Sequence, residues 1–312
     1  MGKDKKEMID NITISTRELI DWENNKMLQD IRRTGQDHFQ GHIKNMKIKQ
    51  TLDGVVLCGS IAKYLNRENI TPLTREQVKQ AVLLLQQDTG LDFSQAIIRS
   101  IEIGTSIILK NPISEYLQCF DYMSNSKYKK FECGSFGIES VSYSTKTGGF
   151  SFSCYDKIQE MKDKHKQELI PEIYQDSNVL RLELKITKRQ TIRSLFKKDL
   201  TPSDLSSKET IAVLINQFSK FYRQIPKSNR AVFLDTSKDV TPSIIEKALA
   251  ESYRQMNPKE YANNIKLAKD KGCITSKTME RIRAKNKHSN VLSEKNELII
   301  ELDEKIRSRG FF

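Results

Sequence analysis

The chain has 312 residues, with 52 lysines and arginines against 40 aspartates and glutamates, a formal charge of +12 and a pI near 9.3. That charge points to a polyanionic partner, with nucleic acid the default, and no run reaches the roughly 18–20 apolar residues of a membrane-spanning helix, which predicts no membrane partner. The five cysteines, Cys58, Cys119, Cys133, Cys154 and Cys273, form no CxxC pair and are odd in number, which argues against a disulfide framework or a structural zinc site and predicts a reducing, cytoplasmic location.

The charged opening MGKDKKEMIDN has no signal-peptide apolar core. Residues from about Ile12 to Lys49 are mixed in pattern. Met46–Lys49 alternates, Asp53 and Gly54 make a turn, and Val55–Leu57 completes a hairpin that leads into a short helix over Gly59–Leu65. Thr74 and Gln77 frame a capping box. Val78, Ala81, Val82 and Leu85 then share one helical face, and Gly90 ends the helix. A strand over Ile98–Leu109 precedes Pro112 and a short helix over Ser114–Phe120. Four more strands follow at Tyr128–Glu132, Ile138–Ser144, Phe150–Lys157 and Val179–Ile186. Gly148 and Gly149 turn the middle hairpin, and a charged helix, Ile158–Gln167, interrupts the last pair.

After Lys188 the periodicity becomes helical, over Ser203–Ile225, Thr241–Gln255, Ser276–Asn286 and Ser293–Arg307. The order of elements predicts an α+β fold, a central and mostly antiparallel sheet with helices on one face, followed by a helical C-terminal region. The shift in pattern near residue 190 divides the chain into a domain over 8–190 and a helical, basic region over 191–312. A sheet covered on one side leaves its other side free for a ligand.

Three strands put chemistry on that free side. Phe150, Phe152 and Cys154 alternate with Ser151, Ser153 and Tyr155, so Tyr155 and Lys157 project together from the polar face. Leu180, Leu182 and Leu184 point inward, which turns Arg181, Glu183 and Lys185 outward. Ile101 and Ile103 are buried, which turns Glu102 the same way. A tyrosine, two carboxylates and several cations suit a tyrosine nucleophile, a divalent metal and a phosphodiester. A phenol with a pKa near 10 attacks poorly unless positive charge offsets the developing phenolate. Glu102 and Glu183 offer oxygen ligands for Mg2+ or Mn2+, and Lys157 is placed to steady the phosphate. Strand by strand, the same residues also fit a solvated face with cross-strand ion pairs. Tyr143, on the preceding strand, is a rival nucleophile.

Basic residues gather at Lys127, Lys129 and Lys130, at Lys185, Lys188, Arg189, Arg193, Lys197 and Lys198, and at Lys277, Arg281, Arg283, Lys285 and Lys287, and Arg181 or Lys185 is placed to hold the DNA backbone. They predict a track for DNA from the site toward the helical region. His38 and His42 are four apart in polar surroundings and read as surface histidines. No Walker A, GxGxxG or GxSxG motif occurs.

MIDNITI at Met8–Ile14, GSIAKYLN at Gly59–Asn66, RSIEIGTS at Arg99–Ser106, FSCYDKIQEMKDK at Phe152–Lys164 and NVLRLELKITKR at Asn178–Arg189 together resemble the gene II/X type of rolling-circle replication initiators of filamentous phages and small plasmids. The resemblance runs from Met8 to Ile225 and implies a sheet fold related to the HUH endonucleases. It implies a metal-dependent nickase and strand transferase that cuts one strand at the origin, stays joined to the 5′ phosphate through tyrosine and later rejoins the strand. On that pattern Glu102 stands where the family carries an acid in its RxDxG-like strand, and Tyr155 stands in the YDK strand. The His-hydrophobic-His motif is absent, so the resemblance implies a metal held by carboxylates. Single- and double-stranded origin DNA are the implied partners, with a host helicase, a polymerase and a second copy of the chain as further ones. A non-catalytic origin-binding initiator or repressor is the alternative that charge and helices alone also satisfy.

Overall fold

The structure is a computed structural model and describes residues 6–7, 9–123, 126–132, 138–227, 258–272, 274–281 and 297–311. Twelve strands are present among them. They are β1 (Lys6–Glu7), β2 (Ile9–Thr16), β3 (Gln29–Gly35), β4 (His38–Ile43), β5 (Met46–Thr51), β6 (Gly54–Ser60), β7 (Leu73–Thr74), β8 (Ile97–Leu109), β9 (Ser126–Glu132), β10 (Ile138–Thr145), β11 (Phe150–Asp156) and β12 (Asn178–Ile186). The helices are α1 (Ile61–Asn66), α2 (Arg75–Thr89), α3 (Ile113–Gln118), α4 (Lys157–Asp163), α5 (Arg189–Phe196), α6 (Lys208–Gln224), α7 (Pro258–Asp270) and α8 (Glu297–Ser308). Residues 276–281 are also helical. The predicted helix over Thr241–Gln255, and Arg283, Lys285 and Lys287, lie outside the described residues.

Ten strands form one antiparallel sheet in the order β3-β4-β5-β6-β2-β8-β12-β11-β10-β9. The alternation read from β5, β8, β11 and β12 holds, and the stretch before Met46 supplies three more strands of this sheet, β2, β3 and β4, while β1 pairs with β7 apart from it. Behind the sheet lies a single large core. Leu180, Leu182 and Leu184 of β12 and Ile101, Ile103 and Ile107 of β8 join residues of α2, α3, α5, α6 and α8 there. Helix α2 forms as its capping box requires, Thr74 accepting from the Gln77 amide and Gln77 from the Thr74 amide, and Gly90 closes it at a φ of 72°. Helices α6 and α8 share this core. Phe152 of β11 stacks on Phe221 and packs at a tilt against Phe218, both of α6, and Phe218 packs on Phe311.

One helix crosses to the other side. Val179 and Ile108, which alternate with core-facing neighbours, pack with Ile158 and Met161 of α4, with Ile170 and with Tyr174. This smaller cluster roofs one end of the polar face and leaves the middle of the sheet as the place for a site.

Candidate active site

Register brings the predicted acids together. Lys185 pairs with Glu102 and Glu183 with Gly104 across β12 and β8, while Tyr155 of β11 faces Arg181 of β12. The Tyr155 hydroxyl donates to Glu183 Oε1 at 2.9 Å. Glu102 and Glu183 are joined by Asp10 of β2, and one oxygen of each carboxylate lies within 4.8 Å of the other two.

Strand alternation does not single out Asp10. Between the pairs Ile9–Ile103 and Ile12–Ile101, β2 advances three residues and β8 only two. This is a β-bulge, where two residues oppose one and the strand bends. It sets Asp10 and Asn11 against Glu102 while Ile9 and Ile12 both stay in the core. The signal is present in the sequence as a three-residue step between Ile9 and Ile12 in an otherwise alternating strand. Asn11 Nδ2 donates to Glu102 Oε1 at 2.6 Å. Asp10 accepts from Ser60 and Asn69 as well as from Arg181.

Arg181 is buried beneath these acids, and this corrects its reading as a DNA contact. Its Nη2 donates to Asp10 at 2.8 Å, its Nε to Glu183 at 3.0 Å and its Nη1 to Ser106 Oγ at 3.1 Å. Burial opposes its charge, but Glu183 and Asp10 outweigh burial and hold the guanidinium pKa above its usual value. The guanidinium lies flat on Gly104, where a Cβ would meet Nη2 at 2.6 Å and Cζ at 2.8 Å. A glycine at this position is what lets a cation rest on the sheet between two carboxylates.

The electrostatics leave the site short of positive charge. Burial, then the charges of Glu183 and Asp10, push the Glu102 carboxyl up to about 7, although Asn11 and Lys185 act the other way. Lys185 Nζ stands 3.9 Å from Glu102. Three close oxygen donors with unbalanced negative charge suit a hard divalent cation. Tyr155 is held well above its ordinary pKa, first by burial and then by the Glu183 charge, with Arg181 opposing. Its proton has one evident acceptor, Glu183. Tyr155 and Glu183, with Ser140, Ser142, Ser153 and Gln159, line an open cleft of about 450 Å³.

Two other predicted residues are placed differently. Tyr143 pairs with Phe152 on the core side, is fully buried and donates its hydroxyl to the Asp121 carbonyl at 2.7 Å. It faces away from the acids and is no rival nucleophile. Lys157 leaves the strand to begin α4 and is 1% exposed. Its Nζ pairs with Glu160 at 2.9 Å and lies 5.8 Å from the centre of the Tyr155 ring. Burial opposes ionisation of Glu160, but Lys157 and Lys164 bring that carboxyl down to about 2. Lys157 therefore props the Tyr155 ring rather than reaching a phosphate. Among the predicted DNA contacts, Lys129 is exposed on β9 and Lys188 donates to the Thr147 carbonyl. Arg189 makes a two-point pair with Asp199, and Arg281 is exposed at the end of its helix. Lys130 lies in β9, pairing with Val141.

Fold and acids together define a protein with an antiparallel sheet that carries three carboxylates and a tyrosine on one face. The family described as "Replication-associated protein G2P N-terminal" matches residues 6–201. That is more than half of the chain, and the chain belongs to this family of replication-associated proteins. A rolling circle replication initiator protein from Geobacillus stearothermophilus is similar in structure, at 9% identity over 75% of this chain and 91% of that one, with a TM-score of 0.40. No curated protein matches the chain. No helix among the described residues is long and apolar enough to cross a membrane.

Proposed function

We propose that this protein nicks and rejoins one strand of origin DNA through Tyr155. The observation that carries the reading is the 2.9 Å hydrogen bond from the Tyr155 hydroxyl to Glu183 within a triad of carboxylates. Asp10, Glu102 and Glu183 would hold Mg2+ or Mn2+, which supplies charge neutralisation at the scissile phosphate. Arg181 keeps Asp10 and Glu183 in place and compensates part of their charge before any cation arrives.

In the forward step the Tyr155 oxygen attacks phosphorus while its proton passes to Glu183. An oxygen–phosphorus bond to tyrosine forms, the bond to the 3′ oxygen breaks, and that oxygen takes up a proton to leave as a 3′-OH. Rejoining is the reverse: the 3′-OH attacks the phosphotyrosine and tyrosine recovers its proton. One phosphodiester is exchanged for another, so no nucleotide hydrolysis is required. Phosphoryl transfer of this kind rests on position and charge more than on covalent assistance by other groups.

The test is a nicking assay on supercoiled origin plasmid with Mn2+, read as relaxed product and as a covalent protein–DNA adduct. Wild type gives the adduct, Tyr155→Phe does not, and Tyr143→Phe still does. An adduct that persists in Tyr155→Phe reassigns the nucleophile. If folded wild-type protein binds the origin but never forms an adduct, the non-catalytic initiator is the better reading.

A further inference from the structure

The polar face of the sheet continues beyond the acids, across the half of the molecule where the sequence pattern is mixed. Ser100 lies two residues from Glu102 on β8 and so shares its face. Its hydroxyl donates to Thr13 Oγ1 at 2.7 Å, and Thr13 in turn donates to Cys58 Sγ at 3.4 Å. Register carries the row onward, from Thr13 to Cys58, Cys58 to Lys47, Lys47 to His42 and His42 to Gln29. A parallel row on the same face runs from Lys49 to Gln40 to Arg32. The residues between them, Ile12, Ile14, Leu57, Ile48 and Ile43, are buried on the opposite side.

Three features give this surface a partner. Lys47, Lys49, Gln40, Arg32 and Cys58 are exposed, and the larger helices that share the main core pack on the sheet's other face. Lys47, Lys49 and Arg32 make no side-chain ion pair or hydrogen bond among the described residues, so their charge is available. The row joins the carboxylate site without a break, and its five strand-to-strand steps at ~4.8 Å span about 24 Å. Neither row contains a phenylalanine, tyrosine or tryptophan, and the one ring in them, the His42 imidazole, stands 3.6 Å from Asp30. Surfaces that hold single strands combine cations with aromatic platforms for the bases, whereas duplex DNA is positioned by contacts to its phosphates.

We infer that this half-sheet is a docking surface for the phosphate backbone of duplex DNA flanking the nick, with Lys47 and Lys49 as its principal cations. The inference rests on the reading that DNA is cut at Tyr155, because the row is useful only if the scissile strand lies at its end. It assigns DNA contact to residues of β5, which lie outside the basic clusters named from the sequence above.

Cys58 supplies a native probe, an exposed thiol in the middle of the row, while Cys119 and Cys154 are buried. Tyr155→Phe protein in chelator, which cannot cut, is saturated with origin duplex and treated with iodoacetamide, and alkylation is read at each cysteine by mass spectrometry. Bound duplex slows Cys58 alkylation. In the same background Lys47→Ala with Lys49→Ala lowers the magnitude of the slope of log K against log salt by about 2, near 0.9 for each duplex phosphate that a lysine no longer neutralises. The inference is overturned if Cys58 reacts at its free rate in fully bound protein, or if the double variant keeps the wild-type slope. Neither readout depends on cleavage. Protection of Cys58 without any covalent adduct in wild type would remove the nuclease reading and keep the docking surface, and an adduct without protection would do the opposite.

Discussion

Glu102→Gln separates what the acidic cluster does for stability from what it does for metal. In the free protein Glu102 has a carboxyl raised from 4.5 to about 7, chiefly by burial and then by Glu183 and Asp10. A carboxyl raised on folding binds protons more readily in the native state, so native stability falls as pH climbs from about 4.5 to about 7. At ~1.4 kcal/mol for each pH unit between those values, the full loss above pH 7 is on the order of 3 kcal/mol. Glutamine keeps the acceptor for the Asn11 amide and removes the charge, at the cost of a partly exposed contact to Lys185. Urea unfolding in chelator at pH 8 should therefore show Glu102→Gln more stable than wild type by about 2–3 kcal/mol, with the difference gone near pH 4.5. Mn2+ should reverse the order, because a ligand that binds only the native state stabilises it and the variant has lost one of three ligands. A variant that is less stable than wild type at pH 8 in chelator, or that gains as much from Mn2+ as wild type does, would refute this account of the cluster.

Gly104→Ala puts a Cβ 2.6 Å from Arg181 Nη2. The guanidinium cannot shift without loosening its bonds to Asp10, Glu183 and Ser106, so a cost of about 2–4 kcal/mol in urea unfolding is expected, together with weaker nicking; unchanged stability would show that Arg181 is free to move. Asp10→Asn should weaken Mn2+ binding by at least about tenfold in calorimetry, since a neutral amide replaces a ligand charge, and an unaltered affinity would remove Asp10 from the metal set. Tyr143→Phe loses one buried hydrogen bond to the Asp121 carbonyl and should cost about 1 kcal/mol while leaving adduct formation intact.

The individual strands were legible because each is half buried. Alternation alone turned Glu102, Tyr155, Glu183 and Lys185 to one side and Ile101, Cys154 and Leu184 to the other. The same rule reads Tyr143 correctly once its serine neighbours are counted, since Ser140, Ser142 and Ser144 alternate with Val141 and Tyr143, and the tyrosine goes inward with the valine. Two kinds of residue escaped it. Asp10 is exposed to the acids by a bulge, which breaks the period that the rule depends on. Arg181 and Lys157 lie on the polar side or at its end, as alternation requires, yet are buried. The acids close over one, and α4, with its own glutamate, closes over the other.

What the chain order of residues determined by itself is local: which side of each strand is wet, where α2 is capped, and that a large positive charge needs an anionic partner. Tertiary structure alone decided which wet residues meet. Pairing β2 with β8 and β8 with β12 is a matter of register between segments up to about 170 residues apart, as the Arg181–Asp10 contact shows. A one-residue slip would turn every side chain to the opposite face. The period of a strand is written into its own residues, but the identity and offset of its neighbour are set by how the whole core packs, and the carboxylate triad exists only at that level.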